Sequence, residues 1–251
     1  MGELLVKQLR KHHIDPIRYE TNGHTRQSLS IFEEASGKQL RLVLPGPIWT
    51  ERQISRLLES IMVHVEEGAL VVASGSLPPG VSDDFYIELN SALTRKNARM
   101  VLDTSEETLL TSVQSAVRPY AVLRMDRLEA EGLAGQAFKT PTDMVDFAQK
   151  LVHDNIAEVV VMARGPDGSV FASKTERFHV RPPKTSVLSA VGAGDSLVGG
   201  LTLALSQSKS LEEAGLLATA AASSAVQTPA SSLCIRSVTE DIMKHSKLER
   251  L

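Results

Sequence analysis

Four short apolar runs, ALVVA (69–73), MVLD (100–103), YAVLR (120–124) and VVVMA (159–163), restrict this chain more than any other feature. Each is continuous rather than alternating, so each predicts a strand covered on both faces. Strands of that kind belong to parallel sheets whose crossovers are helices, and helical patterns do fall between them. Ile54, Leu57, Leu58, Ile61, Met62 and Val65 recur at helical spacing, as do Met144, Val145, Ala148, Leu151 and Val152. Both stripes are expected to be core. Two more helices are predicted around 193–206 and 211–226, and the fold class is α/β.

The first part of the chain is patterned differently. Residues 26–32 and 38–44 alternate or nearly alternate around the turn-like EASGK, which predicts an antiparallel hairpin outside the main sheet. A hairpin of that kind suits a lid. With no internal repeat, low-complexity tract or separating linker, the 251 residues read as one domain, 1–251, with 17–46 contributing the hairpin. A net charge of −3, with both signs mixed throughout, leaves no electrostatic footprint for nucleic acid or an anionic membrane. The aromatic content of 4% also disfavours a base-stacking platform. One cysteine, Cys234, excludes an internal disulfide framework and suits a reducing cytoplasm. No apolar run approaches the roughly 18 residues of a membrane span. The start, MGELLVKQLRKHH, lacks a signal peptide's apolar stretch, and Val6 stands where a myristoylation signal has Ser or Thr. The expected location is the cytoplasm.

Several predicted strands end in polar residues: Ser74, Gly75 and Ser76; Asp103 and Thr104; Arg124 and Asp126; then Arg164 through Gly168. In open parallel sheets ligands bind beyond the carboxyl ends of the strands, so these groups could converge, although each alone is equally an ordinary loop residue. The chemistry concentrates in SAVGAGDSLVGG (189–200), where Asp195 follows Gly192, Ala193 and Gly194. Small residues let backbone N–H groups turn toward one point, and an apolar helix follows, a combination that suits an anion such as phosphate. Two familiar phosphate loops are excluded. Leu197 occupies the third glycine of the dinucleotide fingerprint, and Gly200 and Leu201 replace the Lys and hydroxyl residue of a P-loop. An anion cradle with a carboxylate beside it remains, as phosphoryl transfer requires: the carboxylate accepts a proton from the attacking hydroxyl while amides stabilise the moving charge. The plainer alternative is an acidic residue in a first helical turn, favoured by the macrodipole by about 0.3–1 kcal/mol.

The stretch AVGAGDSLVGG resembles the signature of the ribokinase-like, or PfkB, family of sugar kinases. So do SGSLPPGV (74–81), LDTS (102–105), GPDG (165–168) and HTRQSLSIFEEASGKQLRLVLPG (24–46). The hairpin stretch is similar to the phosphosugar branch, which holds the minor 6-phosphofructokinases, tagatose-6-phosphate kinases and 1-phosphofructokinases. The resemblance implies a mostly parallel sheet flanked by helices with a small β lid. It further implies ATP and Mg²⁺ as cofactors and a phosphosugar as substrate, most specifically fructose 6-phosphate converted to fructose 1,6-bisphosphate. By the same resemblance Asp195 is the catalytic base and Gly192, Ala193 and Gly194 form the anion hole. Arg26 meets the sugar's existing phosphate, as a planar guanidinium can with two oxygens at once, and Ser76 lies in the sugar-side loop. Arg124, Gly165 and Gly168 are assigned to the nucleotide. Glu129 and Asp126 organise the metal, chiefly through water. Ser231 and Ser232 fall near the nucleotide loop. A homodimer formed through the lid edge is compatible with the family.

Departures from the pattern are specific. Where relatives read Lys-Pro-Asn-x-x-Glu, this chain reads Arg124, Met125, Asp126, Arg127, Leu128, Glu129. Arg124 keeps the charge with a different reach, and Asp126 keeps an oxygen ligand while adding a negative charge. If a helix opens here, residues 126 and 129 share a face. Ala163 and Ala190 replace hydroxyl residues, which predicts weaker ATP binding. Gly2, Glu3 and Leu4 resemble an internal helix of the family, so the chain is expected to lack the first strands and part of the lid. These departures support an alternative expectation: a catalytically inactive nucleotide-binding or regulatory homologue.

Overall fold

The computed structural model of the chain describes residues 1–33, 38–229 and 232–251. Residues 34–37 of the EASGK turn, and Ser231, lie outside them. The described residues form two compact units, one of residues 1–64 with 77–85 and one of residues 65–76 with 86–251.

The first unit holds α1 (Gly2–Lys11), the antiparallel pair β1 (Ser28–Glu33) and β2 (Lys38–Val43), and α2 (Glu51–His64). The pair forms its own two-stranded sheet, with Ser28 opposite Val43 and Glu33 opposite Lys38. The hairpin predicted from alternation is present. Helix α2 forms where its stripe predicts, but the expectation that the stripe is core fails, because no residue of α2 is buried. Ile54, Leu57, Leu58, Ile61 and Met62 are only half-buried. Periodicity reports which face is apolar, whereas burial depends on what packs there. In this unit Tyr19 stacks on Trp49, with ring centroids 5.5 Å apart, and donates its hydroxyl to the Gln53 carbonyl at 2.8 Å.

The second unit is built on a seven-stranded sheet: β3 (Leu70–Ser74), β4 (Arg99–Asp103), β5 (Tyr120–Asp126), β6 (Ala157–Ala163), β7 (Ser169–Ala172), β8 (Arg177–Arg181) and β9 (Lys247–Arg250), in that spatial order. The first four are parallel, and the last three continue antiparallel. Helices supply the crossovers and the flanking layers: α3 (Phe85–Leu93), α4 (Glu106–Gln114), α5 (Arg127–Ala134), α6 (Pro141–His153), α7 (Ala193–Ser206), α8 (Leu211–Ala225) and α9 (Arg236–His245). The runs in β4, β5 and β6 are covered as their composition demands. Strand β3 is less so, with Val72 42% exposed, because it is the edge of the sheet among the described residues. On α6 the predicted stripe is fully buried.

One core cluster fixes α7 and α8 on the sheet. Leu197, Val198, Leu201 and Ala204 of α7, with Leu211, Ala214 and Ala218 of α8, pack against Val101, Val122, Val161, Phe171, Phe178 and Val180. Each fully buried large side chain contributes about 1.5–3 kcal/mol. This packing anchors the start of α7, and with it the glycine loop, over the ends of the parallel strands. Among the described residues no helix is long and apolar enough to cross a membrane.

Candidate active site

Parallel register sets the first part of the site. Ser74 pairs with Asp103, and Asp103 with Arg124, across β3, β4 and β5. Register partners on neighbouring strands lie about 4.8 Å apart and project to the same face, so three polar side chains stand in a row at the carboxyl ends. They interact as a chain. Arg124 Nη1 donates to Asp103 Oδ1 at 2.9 Å, and Ser74 Oγ donates to Asp103 Oδ2 at 3.2 Å. The ion pair is largely buried, with side chains 14% and 11% exposed.

The backbone beside the row is held as firmly. Gly75 donates its N–H to the Asp103 carbonyl at 2.8 Å, and its own carbonyl accepts from Tyr86 Oη at 2.9 Å and Thr104 Oγ1 at 3.1 Å. Burial, with the Asp103 carboxylate, raises the Tyr86 phenol above its ordinary value, so the hydroxyl remains a donor. These bonds shape the loop that leads into Ser76.

Helix α7 provides the second part. Gly192 is its N-cap at φ 85°, and Ala193, Gly194 and Asp195 are its first three residues. The first-turn amides of a helix have no partner within it. The Ala193 N–H reaches the Ala190 carbonyl at 3.4 Å, a long contact, while the amides of Gly194 and Asp195 follow it in the turn. Asp195 is exposed, and among the described residues no hydrogen bond or ion pair engages its carboxylate. The glycine-capped helix start and the exposed carboxylate stand where the 189–200 stretch places them. Gly194 is a close-approach position: a Cβ there would lie 3.1 Å from Arg124 Nη2 and 3.3 Å from both Cζ and Nη1. The guanidinium therefore packs over the cradle.

Asp126 and Glu129 join through a capping box at the start of α5. Asp126 Oδ1 accepts from the Glu129 N–H at 2.9 Å, and Glu129 Oε2 accepts from the Asp126 N–H at 2.6 Å. The helix anticipated at this point exists, and it positions the two carboxylates. Burial pushes the Glu129 carboxyl above its ordinary value; the Asp126 amide opposes this, the Asp126 carboxylate adds to it, Arg124 opposes it and Asp103 adds to it. Among the described residues no three His, Cys, Asp or Glu side chains gather as a metal cage. Two carboxylates that each commit one oxygen to a cap fit an ion held chiefly by phosphates and water, as Mg²⁺ usually is.

Gly165 and Gly168 bracket a single 3₁₀ turn after β6, closed by the Arg164 N–H to the Gly168 carbonyl at 2.7 Å. His179 on β8 braces it from beneath, with Nε2 2.6 Å from the Asp167 carbonyl. A carbonyl only accepts, so Nε2 carries the proton. Arg26, in the first unit, is exposed, and its stem runs past Gly46 with Cβ and Cδ 3.7 and 3.8 Å from where a glycine Cβ would stand. The two stretches that carry the hairpin resemblance, TRQ and LVLPG, therefore touch.

The sequence profile of the pfkB family carbohydrate kinases matches residues 1–237. The chain belongs to this family. It is 35% identical over 241 residues to the ATP-dependent 6-phosphofructokinase isozyme 2 of Escherichia coli K12, covering 96% of this chain and 77% of that protein. It is 32% identical to the isozyme 2 of Mycobacterium tuberculosis H37Rv, covering 84% of this chain and 61% of that protein. The 1-phosphofructokinase of Bacillus subtilis is 29% identical over 85% of this chain and 68% of that enzyme. Among solved structures, the crystal structure of the E. coli phosphofructokinase-2 in complex with substrates and products superposes with a TM-score of 0.90 at 34% identity, covering 97% of this chain and 78% of that one.

Within this pfkB-family chain, sequence reasoning assigned roles to Arg124, Asp126 and Glu129 but named Asp103 only among the strand-end polar residues, and the structure pairs it with Arg124. The available signal was the polar residue closing each parallel strand. Only register shows that Ser74, Asp103 and Arg124 are neighbours.

Proposed function

We propose that the chain transfers the terminal phosphoryl group of ATP to a free hydroxyl of a phosphosugar, with fructose 6-phosphate as the most specific substrate reading. The observation that carries this is Asp195: an unengaged, exposed carboxylate in the first turn of a buried helix, one residue after the glycine over which the Arg124 guanidinium lies. In this reading Asp195 takes the proton of the attacking hydroxyl. The amides of the Gly192, Ala193 and Gly194 loop, with Arg124, hold the charge that spreads over the phosphoryl oxygens. In this reading Ser76 lies in the sugar-side loop, the turn bounded by Gly165 and Gly168 takes the nucleotide, and the resemblance alone assigns the sugar's phosphate to Arg26. Asp126 and Glu129 hold the water shell of Mg²⁺, which neutralises phosphate charge when bound.

The test is ADP release with MgATP and a panel of fructose and tagatose phosphates, with Asp195→Asn as control. Turnover lost in the variant supports the reading. Turnover retained in the variant removes Asp195 from the base role. Nucleotide binding without ADP release on any phosphosugar favours the inactive homologue suggested by the Arg124, Met125, Asp126 replacement.

A further inference from the structure

We infer that Asp103 is a positioning residue that acts through Arg124: it fixes the guanidinium across Gly194 so that the free edge of the fork addresses the terminal phosphoryl group, and it ties that setting to the sugar-side loop through Ser74. The inference rests on the kinase reading of this site.

The geometry leaves Asp103 little else to do. Both carboxylate oxygens are spent, Oδ1 on Arg124 Nη1 and Oδ2 on Ser74 Oγ, and the carbonyl of the same residue holds the Gly75 amide. The carboxylate is 11% exposed and the guanidinium 14%. A guanidinium presents five donors in a rigid fork, so securing one edge orients the other. The secured group is Nη1. Nη2 is the atom nearest the cradle, 3.1 Å from the Cβ position of Gly194, and among the described residues the buried Nε has no partner. A largely buried cation with unspent donors beside open helix amides and a free carboxylate is arranged for an oxyanion. Because Gly194 precedes Asp195, that oxyanion is on the group being transferred rather than on the inner phosphates. A lysine at 124, a single point donor on a flexible stem, would need no such clamp. The Arg124 and Asp103 pairing thus compensates for the departure from the family pattern.

Calorimetric titration of the full chain with Mg·AMP-PNP and with Mg·ADP separates the terminal phosphate from the rest of the nucleotide. Arg124→Met should weaken Mg·AMP-PNP about tenfold or more and leave Mg·ADP within about threefold. Asp103→Asn should shift the same ratio in the same direction, and should add nothing in the Arg124→Met background. Arg124→Lys should recover only part of the ratio. The double variant also removes both buried charges, so it reports even if Asp103→Asn alone folds poorly. Equal loss of both nucleotides in Arg124→Met, or an additive effect of Asp103→Asn, overturns the inference. If the unmodified chain shows no turnover, the kinase reading fails while the affinity ratio still decides the role of Asp103. In an active chain, Asp103→Asn should raise the KM for ATP together with the AMP-PNP dissociation constant and lower kcat/KM about tenfold or more.

Discussion

The two glycines assigned to the nucleotide turn make opposite demands on an added methyl group. Gly168 sits at φ 90° and ψ −141°, and a Cβ there would lie 2.0 Å from the Val180 carbonyl oxygen and 2.9 Å from Pro182 Cδ. Backbone cannot retreat as a flexible side chain can, so Gly168→Ala must move the turn off β8 or strain both. Unfavourable φ/ψ and overpacking each cost roughly 1–3 kcal/mol, giving about 4 kcal/mol as a central value. Gly165 has φ 60° and nothing within 4 Å of its Cβ position, so Gly165→Ala carries only the left-handed penalty of about 1 kcal/mol. For a chain of this size these correspond to Tm losses of roughly 8–16 °C and 2–4 °C. Differential scanning fluorimetry on both variants checks the order, and Mg·ADP titration checks the consequence: Gly168→Ala should weaken binding well beyond Gly165→Ala. A Gly168→Ala protein with unchanged Tm and unchanged Mg·ADP affinity would refute the reasoning.

Asp195→Asn should lower kcat by about 10²–10⁴ with Tm nearly unchanged, since the carboxylate is exposed and unengaged; coupled ADP detection against melting separates the two effects. His179 is held below its ordinary pKa by burial, opposed by the hydrogen bond to the Asp167 carbonyl, with Arg164 and Arg181 lowering it and Glu249 raising it. The folded chain therefore takes this proton less readily than the unfolded one: the histidine adds no pH dependence above about 6.5, and stability falls as pH drops below that value. Melting at pH 7.5 and 5.5 should show the loss, and His179→Gln should reduce it. Leu201→Ala, at a fully buried position between α7 and the sheet, should cost about 2–5 kcal/mol in denaturant unfolding.

What could be read from the residues alone follows from how local each determinant is. VVVMA announces a covered strand because its composition is sufficient, whereas SVFA (169–172) and RFHVR (177–181) are short and mixed, and belong to the sheet only because each pairs antiparallel with a neighbour. Their absence from the reading is a failure of non-local information. The stripe on α2 has the right period and still is not core, since periodicity carries no knowledge of the packing surface. At the site, the loop of 189–200 declares itself because small residues, carboxylate and helix are contiguous. The clamp on Arg124 does not, because its parts are 29 and 21 residues apart, at Ser74, Asp103 and Arg124. Parallel pairing turns those separations into one row. The same principle explains how a guanidinium at position 124 is accommodated against the first turn of α7. A longer, forked cation disturbs a site when it is free to choose a partner, and here Asp103 on the neighbouring strand and the missing Cβ of Gly194 leave it a single place to lie.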